Sequence, residues 1–394
     1  MIYLDNAASS WPKPERVEEK TAEWIKSNGA NPGRSNHRMA TDAGRAIRET
    51  RHLLADFLDV SRVEDIVFTS NATHGLNLVI RGLLNHGDHV VTNSLEHNSV
   101  LRPLHDLASR NIIDFDCVEP DSRGLLSATD LLNAMNSKTQ LVTLIHASNV
   151  LGFVQPVEPI VQTIREHNPS TYILLDASQT AGVTELPVSK NGPDCVVFSG
   201  HKGLFGLQGT GVLYIKHDTP VRSFMTGGTG SQSHLPEHPE QMPDRLEAGT
   251  PNTPGIVSLK EGIEFVRNTG IDQIRSHKSS LISTIRDHLQ SFDSVKIYPE
   301  TVANNSVQTG VLSYNLKGVD PVELAYYYNE RFDIAVRAGM HCAPWAHRWM
   351  GTLEESPSGA VRVSPGWFNT RKEIEKFLDA TEELISTLGD SRIR

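Results

Sequence analysis

The sequence predicts an α/β fold: a large domain on a mainly parallel central sheet, followed by a smaller α+β C-terminal domain. Three observations predict it. Up to about residue 253, short apolar runs alternate with longer amphipathic segments, the pattern of strand and helix in turn. The apolar runs show little period-two alternation, as expected of strands covered on both faces. Beyond that point two long amphipathic segments lead into alternating stretches, a different texture.

Taken in order, residues 14–27 read as a first helix. Runs rich in Val, Ile, Leu and Tyr at 65–69, 89–92, 140–146, 171–176, Cys195–Ser199 and Gly211–Ile215 read as strands. Helical patterns at 73–84, 100–108 and 156–166 lie between them. Residues 227–254 form the largest irregular region, dense in Gly, Pro, Ser and His. A loop of that length is either functional or, over 231–243, a disordered surface insertion. Helices are then expected at 255–267, 273–289, 321–331 and 371–388, and strands at Val295–Tyr298, 308–316, 334–338 and 360–364. The domains are placed at 1–253 and 254–394, with residues 1–30 able to pack on the smaller one.

Charge and composition narrow the function. Lys+Arg 37 against Asp+Glu 47 gives a net charge of -10, which argues against broad binding to nucleic acid or anionic membranes. The longest apolar run, Leu324 to Tyr328, is too short to span a bilayer. The opening Met1-Ile2-Tyr3-Leu4-Asp5 has an early acid and no basic head, unlike a secretion signal. Cys117, Cys195 and Cys342 are far apart and odd in number, so no disulfide framework is expected. A cytoplasmic setting follows. No metal site is expected either, because the histidines do not cluster and His234 with His238 reads as solvated.

Of 13 lysines, Lys202 stands apart. It follows the apolar run Cys195–Ser199 and precedes a glycine-rich turn. Ligands of open α/β sheets bind at the carboxyl ends of strands, and a desolvated amine there can condense with a carbonyl cofactor. A plain turn lysine would read the same way on its own. Asp176 ends the preceding strand and should lie beside Lys202 if the two strands are neighbours. Pyridoxal phosphate needs both, the lysine for its aldehyde and a carboxylate for its ring nitrogen. Gln179 is placed to reach the ring hydroxyl. Asn71-Ala72-Thr73 opens a helix after a strand, an anion site by its free N–H groups or only an N-cap. His97, after another strand end, is a candidate for stacking on the ring.

Cys117 and Cys195 lie in apolar strand patterns and read as small core residues. Cys342 sits in a loop with Arg337 and His341 nearby, a setting that favours a thiolate. Arg362 is a candidate fork for a substrate carboxylate, although an ion pair is the commoner use of such a residue.

Across nearly its whole length the chain resembles the fold-type I pyridoxal-phosphate enzymes of aminotransferase class V. Within them it resembles the cysteine desulfurases of the second, SUF-like group. Asn71-Ala72-Thr73-His74-Gly75, Glu96-His97, Asp176-Ala177-Ser178-Gln179, Ser199-Gly200-His201-Lys202, Glu247-Ala248-Gly249-Thr250-Pro251 and Arg337-Ala338-Gly339-Met340-His341-Cys342-Ala343 carry the resemblance. It implies a fold type I enzyme that converts L-cysteine to L-alanine and moves the sulfur to Cys342 as a persulfide. Lys202 would carry the cofactor and shuttle protons, Asp176 and Gln179 would hold the ring, and His97 would stack on it and act in acid–base steps. Ala72, Thr73, Ser199 and His201 would hold the phosphate. Thr250 would reach the cofactor of the neighbouring subunit in a homodimer. Asn149 and Arg362 would hold the substrate carboxylate, while Arg34 and Arg337 would line the entrance or steady the thiol. A sulfur-acceptor protein would take the product sulfur. Selenocysteine lyase and a β-eliminating C–S lyase are the alternatives on the same fold. The loop from Cys342 to Arg362, with Trp345, His347, Arg348 and Trp349, is longer than in the best-known relatives.

Overall fold

The computed structural model of the chain describes residues 1–33, 37–302 and 306–392. Arg34 lies outside the described residues.

The chain opens with β1 (Ile2–Tyr3), α1 (Glu15–Ser27) and α2 (Arg38–Phe57). It continues with β2 (Ile66–Thr69), α3 (Ala72–Leu83), β3 (Asp88–Asn93), α4 (Asn98–Ser109), β4 (Ile113–Val118), α5 (Ala128–Ala134), β5 (Thr139–Ile145), α6 (Val157–His167), β6 (Tyr172–Asp176), β7 (Cys195–Ser199) and β8 (Gly211–Ile215). These strands form one seven-stranded sheet in the order β2-β8-β7-β6-β5-β3-β4. Only β8 runs against its neighbours, so the sheet is mainly parallel, as predicted. Strands β2, β6, β7 and β8 are buried almost throughout, which is why their sequences are unbroken apolar runs. Alternate side chains fill two cores. Phe68, Val142, Leu144, Ile173, Leu175, Val196 and Phe198 pack with α2, α6 and α7 (Thr253–Thr269) on one face. Val67, Val90, Leu141, Leu174, Val197 and Leu213 pack with α3 and α4 on the other.

After α7 come α8 (Ile271–Leu289), β9 (Val295–Tyr298), β10 (Leu312–Leu316), α9 (Pro321–Phe332), β11 (Ile334–Ala335), β12 (Arg337–Gly339), α10 (Pro344–Trp349), β13 (Ala360–Val363) and α11 (Arg371–Arg392). A four-stranded antiparallel sheet, β12-β13-β10-β9, carries a third core of Leu281, Ile285, Leu312, Tyr314, Val361 and Phe377.

Several boundaries differ from the sequence reading for clear reasons. The single strand expected over 334–338 is two strands in two sheets: β11 pairs with β1, and β12 pairs with β13. The strand expected from 308 starts at Leu312, after Gly310 with φ 86°. Ile256, Leu259, Ile263 and Val266 of α7 belong to the core of the large sheet, so we propose that the large domain runs through α7 rather than ending at residue 253. The chain's first strand pairs with β11 of the smaller sheet side, and Asp5 bridges to Ser364. The region 227–252 has no helix or strand, but it carries its own contacts: Ser231 Oγ bonds to Asp244, and His238 Nε2 lies 3.0 Å from the Arg245 carbonyl oxygen.

Candidate active site

The carboxyl ends of β2, β3, β5, β6 and β7 surround one cavity of about 210 Å³, closed on the other side by Arg337, His341 and Arg362. Ala72, Thr73, His97, Asn149, Asp176, Gln179, Ser199, His201 and Lys202 all line it. Residues from five strand ends and a second sheet thus meet where the topology of an open sheet places a ligand.

β6 and β7 are adjacent and parallel, with Asp176 opposite Val197. This brings Asp176 to the same end of the sheet as Lys202, as the sequence predicts. Asp176 Oδ1 accepts from the Ser178 N–H at 2.9 Å and from Ser178 Oγ at 2.5 Å. The turn after Lys202 is held by a close approach: a Cβ on Gly203 would collide with the Ala181 carbonyl oxygen, and one on Gly182 (φ +81°) with that of Gly203. Burial of the Lys202 amine lowers its pKa to about 8, against the pull of Asp176 and helped by Arg362 and Arg337.

His97 caps α4: its Nδ1 accepts from the Ser99 N–H at 3.1 Å and lies 2.8 Å from Ser99 Oγ. That hydroxyl is 2.7 Å from Thr73 Oγ1. Burial, then the charge of Lys202, lowers the His97 pKa to about 4, so the ring is neutral with its proton on Nε2. Burial likewise lowers His201 to about 4, and its Nδ1 lies 3.1 Å from Ser9 Oγ. Asn71 is the N-cap of α3, its side chain accepting from the His74 N–H at 2.9 Å. The cap and the anion site are compatible, because the Ala72 N–H at the helix start faces Ser199 Oγ at 3.3 Å. Gln179 Nε2 donates to the Ala7 carbonyl oxygen at 3.0 Å.

Arg362 is buried and engaged. Its Nη2 donates to Asp5 at 2.6 Å and its Nη1 to the Asn149 carbonyl oxygen at 3.1 Å. Among the described residues, its Nε and the Asn149 Oδ1 have no hydrogen-bond partner although both are buried. Unpaired groups of this kind are costly unless a ligand meets them.

Cys342 is exposed at the edge of this cavity rather than within its lining. Arg337 Nη2 stands 3.7 Å from its Sγ. His341 (φ 50°) and Cys342 (φ 58°) are both left-handed, a conformation that costs roughly 1–3 kcal/mol per non-glycine residue. Bonds to neighbouring elements hold the turn. Asn149 Nδ2 donates to the His341 carbonyl oxygen at 2.7 Å and the Asn98 N–H to that of Cys342 at 2.8 Å.

Thr250 is not brought into the cavity. It is exposed, accepts from Asn31 Nδ2 at 3.2 Å, and lines a separate cleft with Ser70, His74, Phe224 and Met225. Asp5, Ser178 and Ser99 enter the sequence reading only as members of longer motifs, with no role of their own. Their polar types carry no signal alone, and the strand end Asp176 marks only its own position. Glu96 was read only as part of a motif. It is fully buried, and burial, with Asp176 behind it, pushes its carboxyl well above the usual range.

The donor set fits pyridoxal phosphate: an amine of lowered pKa, a carboxylate on the neighbouring strand, a helix start with hydroxyl groups, and buried polar atoms without partners. Fold and site together define an enzyme of the fold-type I pyridoxal-phosphate class. A family model described as Aminotransferase class-V matches residues 2–377. A probable cysteine desulfurase of Methanothermobacter thermautotrophicus is 34% identical over 97% of this chain and 94% of its own. One from Pyrococcus abyssi is 33% identical over 100% and 96%. The apo structure of a cysteine desulfurase from Thermococcus onnurineus NA1 superposes with a TM-score of 0.87 at 33% identity, covering 98% of this chain and 94% of that one. The chain belongs to the aminotransferase class-V family.

Proposed function

We propose that this chain is a pyridoxal-phosphate-dependent cysteine desulfurase that converts L-cysteine to L-alanine and leaves the sulfur on Cys342. The observation that carries it is the pairing of the Lys202 cavity with an exposed cysteine held at its edge beside Arg337. A β-eliminating enzyme has no use for such a cysteine.

When bound, the cofactor supplies an electron sink for carbanion chemistry at the substrate Cα. Lys202 would anchor it, and its Nζ would move the Cα proton. An amine with a pKa of about 8 is close to ideal for that exchange. Asp176, fixed by Ser178, would hold positive charge at the ring nitrogen. The start of α3 with Thr73, Ser199 and His201 would take the phosphate, and neutral His97, with its proton at Nε2, would stack on the ring. Arg362 would orient the substrate carboxylate through its unpaired Nε–H, while the unpaired Asn149 Oδ1 only accepts and would meet a donor of the bound amino acid. The Cys342 thiolate then attacks the substrate sulfur. An S–S bond forms, the Cβ–S bond breaks, and its electron pair stays on the carbon skeleton, which takes up a proton to become alanine. The resulting persulfide passes to an acceptor protein.

Thr250 acts across a homodimer. Its place outside its own chain's cavity, beside the exposed Phe224 and Met225, supports that reading. A cytoplasmic setting fits three unpaired cysteines. No described helix is long and apolar enough to cross a membrane.

The test is product analysis of the cofactor-loaded protein with L-cysteine and no reductant. Alanine together with a persulfide on the Cys342 peptide supports the proposal. Pyruvate with unmodified Cys342 would replace it with β-elimination.

A further inference from the structure

The stretch around Cys342 holds two buried histidines that the reaction does not use. His341 lines the cavity, and His347 sits on α10 with no exposure. Their rings are 25° from coplanar with centroids 5.2 Å apart, and His341 Nδ1 is 3.1 Å from His347 Nε2. At that separation the rings lie side by side, joined by an in-plane N–H···N bond. His347 Nδ1 is 2.8 Å from Thr352 Oγ1, and His341 Nε2 is 3.5 Å from the Arg337 carbonyl oxygen.

The polarity of this chain follows from its ends. A carbonyl oxygen only accepts, so His341 Nε2 carries the proton facing Arg337. A neutral ring with that proton accepts at Nδ1, so His347 Nε2–H donates to it. His347 Nδ1 is then an acceptor, and the Thr352 hydroxyl donates. The far end agrees. The His347 carbonyl oxygen already takes the N–H groups of Thr352 at 2.8 Å and Leu353 at 3.1 Å. The Thr352 hydroxyl, 3.3 Å from that oxygen, is better placed for the ring. Burial lowers the pKa of both rings, His347 to about 4 and His341 well below its ordinary value, so neither carries charge.

We propose that His347 is a positioning residue for Cys342: acting through His341, it fixes the ring orientation and the two-residue left-handed turn that hold the thiol beside Arg337. The relay grips Arg337 by its carbonyl, while the Arg337 guanidinium stands against the Cys342 sulfur. Without the His347 donor, His341 Nδ1 is left buried and unpaired. The ring then loses the contact that orients it, and its Nε2–H no longer holds the Arg337 carbonyl in place.

The experiment compares His347→Leu, His347→Gln and Thr352→Val in cofactor-loaded protein. It reads the rate at which iodoacetamide modifies Cys342, kcat and KM for L-cysteine, and absorbance of the bound cofactor. His347→Leu is expected to slow Cys342 modification at least about threefold and kcat about tenfold, with KM and cofactor absorbance unchanged. His347→Gln, whose amide N–H can stand where Nε2–H stood, restores both rates to within about twofold. Thr352→Val slows modification by a smaller factor. Wild-type rates in His347→Leu, or a Gln variant no better than Leu, overturn the proposal. Should the Leu variant not fold, an unchanged modification rate in Thr352→Val overturns it. The proposal rests on the desulfurase reading for its kcat arm alone. A wild-type protein that makes no alanine overturns that reading, and the modification rates still decide this one.

Discussion

Arg362 and Asp5, 357 residues apart in the chain, form an ion pair at 2.6 Å, with the guanidinium only 1% exposed. The arginine proposed to receive the substrate carboxylate is therefore already neutralised from the protein side. Only its Nε is unpaired among the described residues. Asp5 sets the orientation of the fork, and the substrate meets the remaining donor.

Removing Asp5 leaves a buried charge with the Asn149 carbonyl as its chief partner. Asp5→Ala is expected to cost about 3 kcal/mol of stability, measured by denaturant unfolding of the cofactor-free protein. A cost below about 0.5 kcal/mol, as for an exposed pair, would show that the contact does not hold the residue.

Cys342 stands outside the lining of the cavity, so cofactor binding and sulfur transfer should separate. Cys342→Ala is expected to bind the cofactor with an unchanged absorption band and to lose alanine formation by at least about a hundredfold. Full alanine formation in this variant would remove the cysteine from the mechanism.

The Lys202 pKa of about 8 has a direct kinetic reading. Only the neutral amine attacks the cofactor aldehyde. Uptake by the cofactor-free protein should therefore rise about tenfold per pH unit below pH 8 and level off above it. A stopped-flow absorbance series shows this. A rate that goes on rising about tenfold per pH unit through about pH 9 and 10 would contradict a lowered pKa.

Glu96 gives a stability signature of opposite slope. Its carboxyl is raised in the folded state, so the folded chain keeps a proton that the unfolded chain releases above its ordinary value of 4.5. Stability then falls as pH rises from that value. Glu96→Gln removes the titration, and its melting temperature should exceed that of the wild type at pH 8 and converge with it near pH 5. Parallel pH curves for the two proteins would mean that Glu96 ionises freely.

Much of the site was legible because its polar residues stand at or just past the carboxyl ends of mostly apolar strands. Asp176, Lys202 and His97 could be read that way, and parallel order then brings the ends together. Strand β4 lacks that contrast. It is the edge strand, and its alternating Asp114 and Asp116 are a solvated side rather than a break in an apolar run. Helix α2 escaped because its buried face is built largely from Ala40, Ala43, Thr50 and Arg51, which do not stand out as an apolar stripe. Arg51 is held there by Glu247, at 2.8 Å and 2.9 Å. Asp5, Thr352 and the His341–His347 contact were illegible for a different reason: their meaning lies wholly in partners that the fold supplies.

The pairing of β1 with β11 and of Asp5 with Arg362 also orders events during synthesis. Residues 2–5 find their partners only when residues 334–364 have followed them. The large sheet can assemble while translation continues, but Asp5 stays without its arginine until residue 362 has been made. A truncated nascent product would thus carry most of the cofactor cradle yet be unable to seat an amino acid, so partial chains are silent rather than misdirected catalysts.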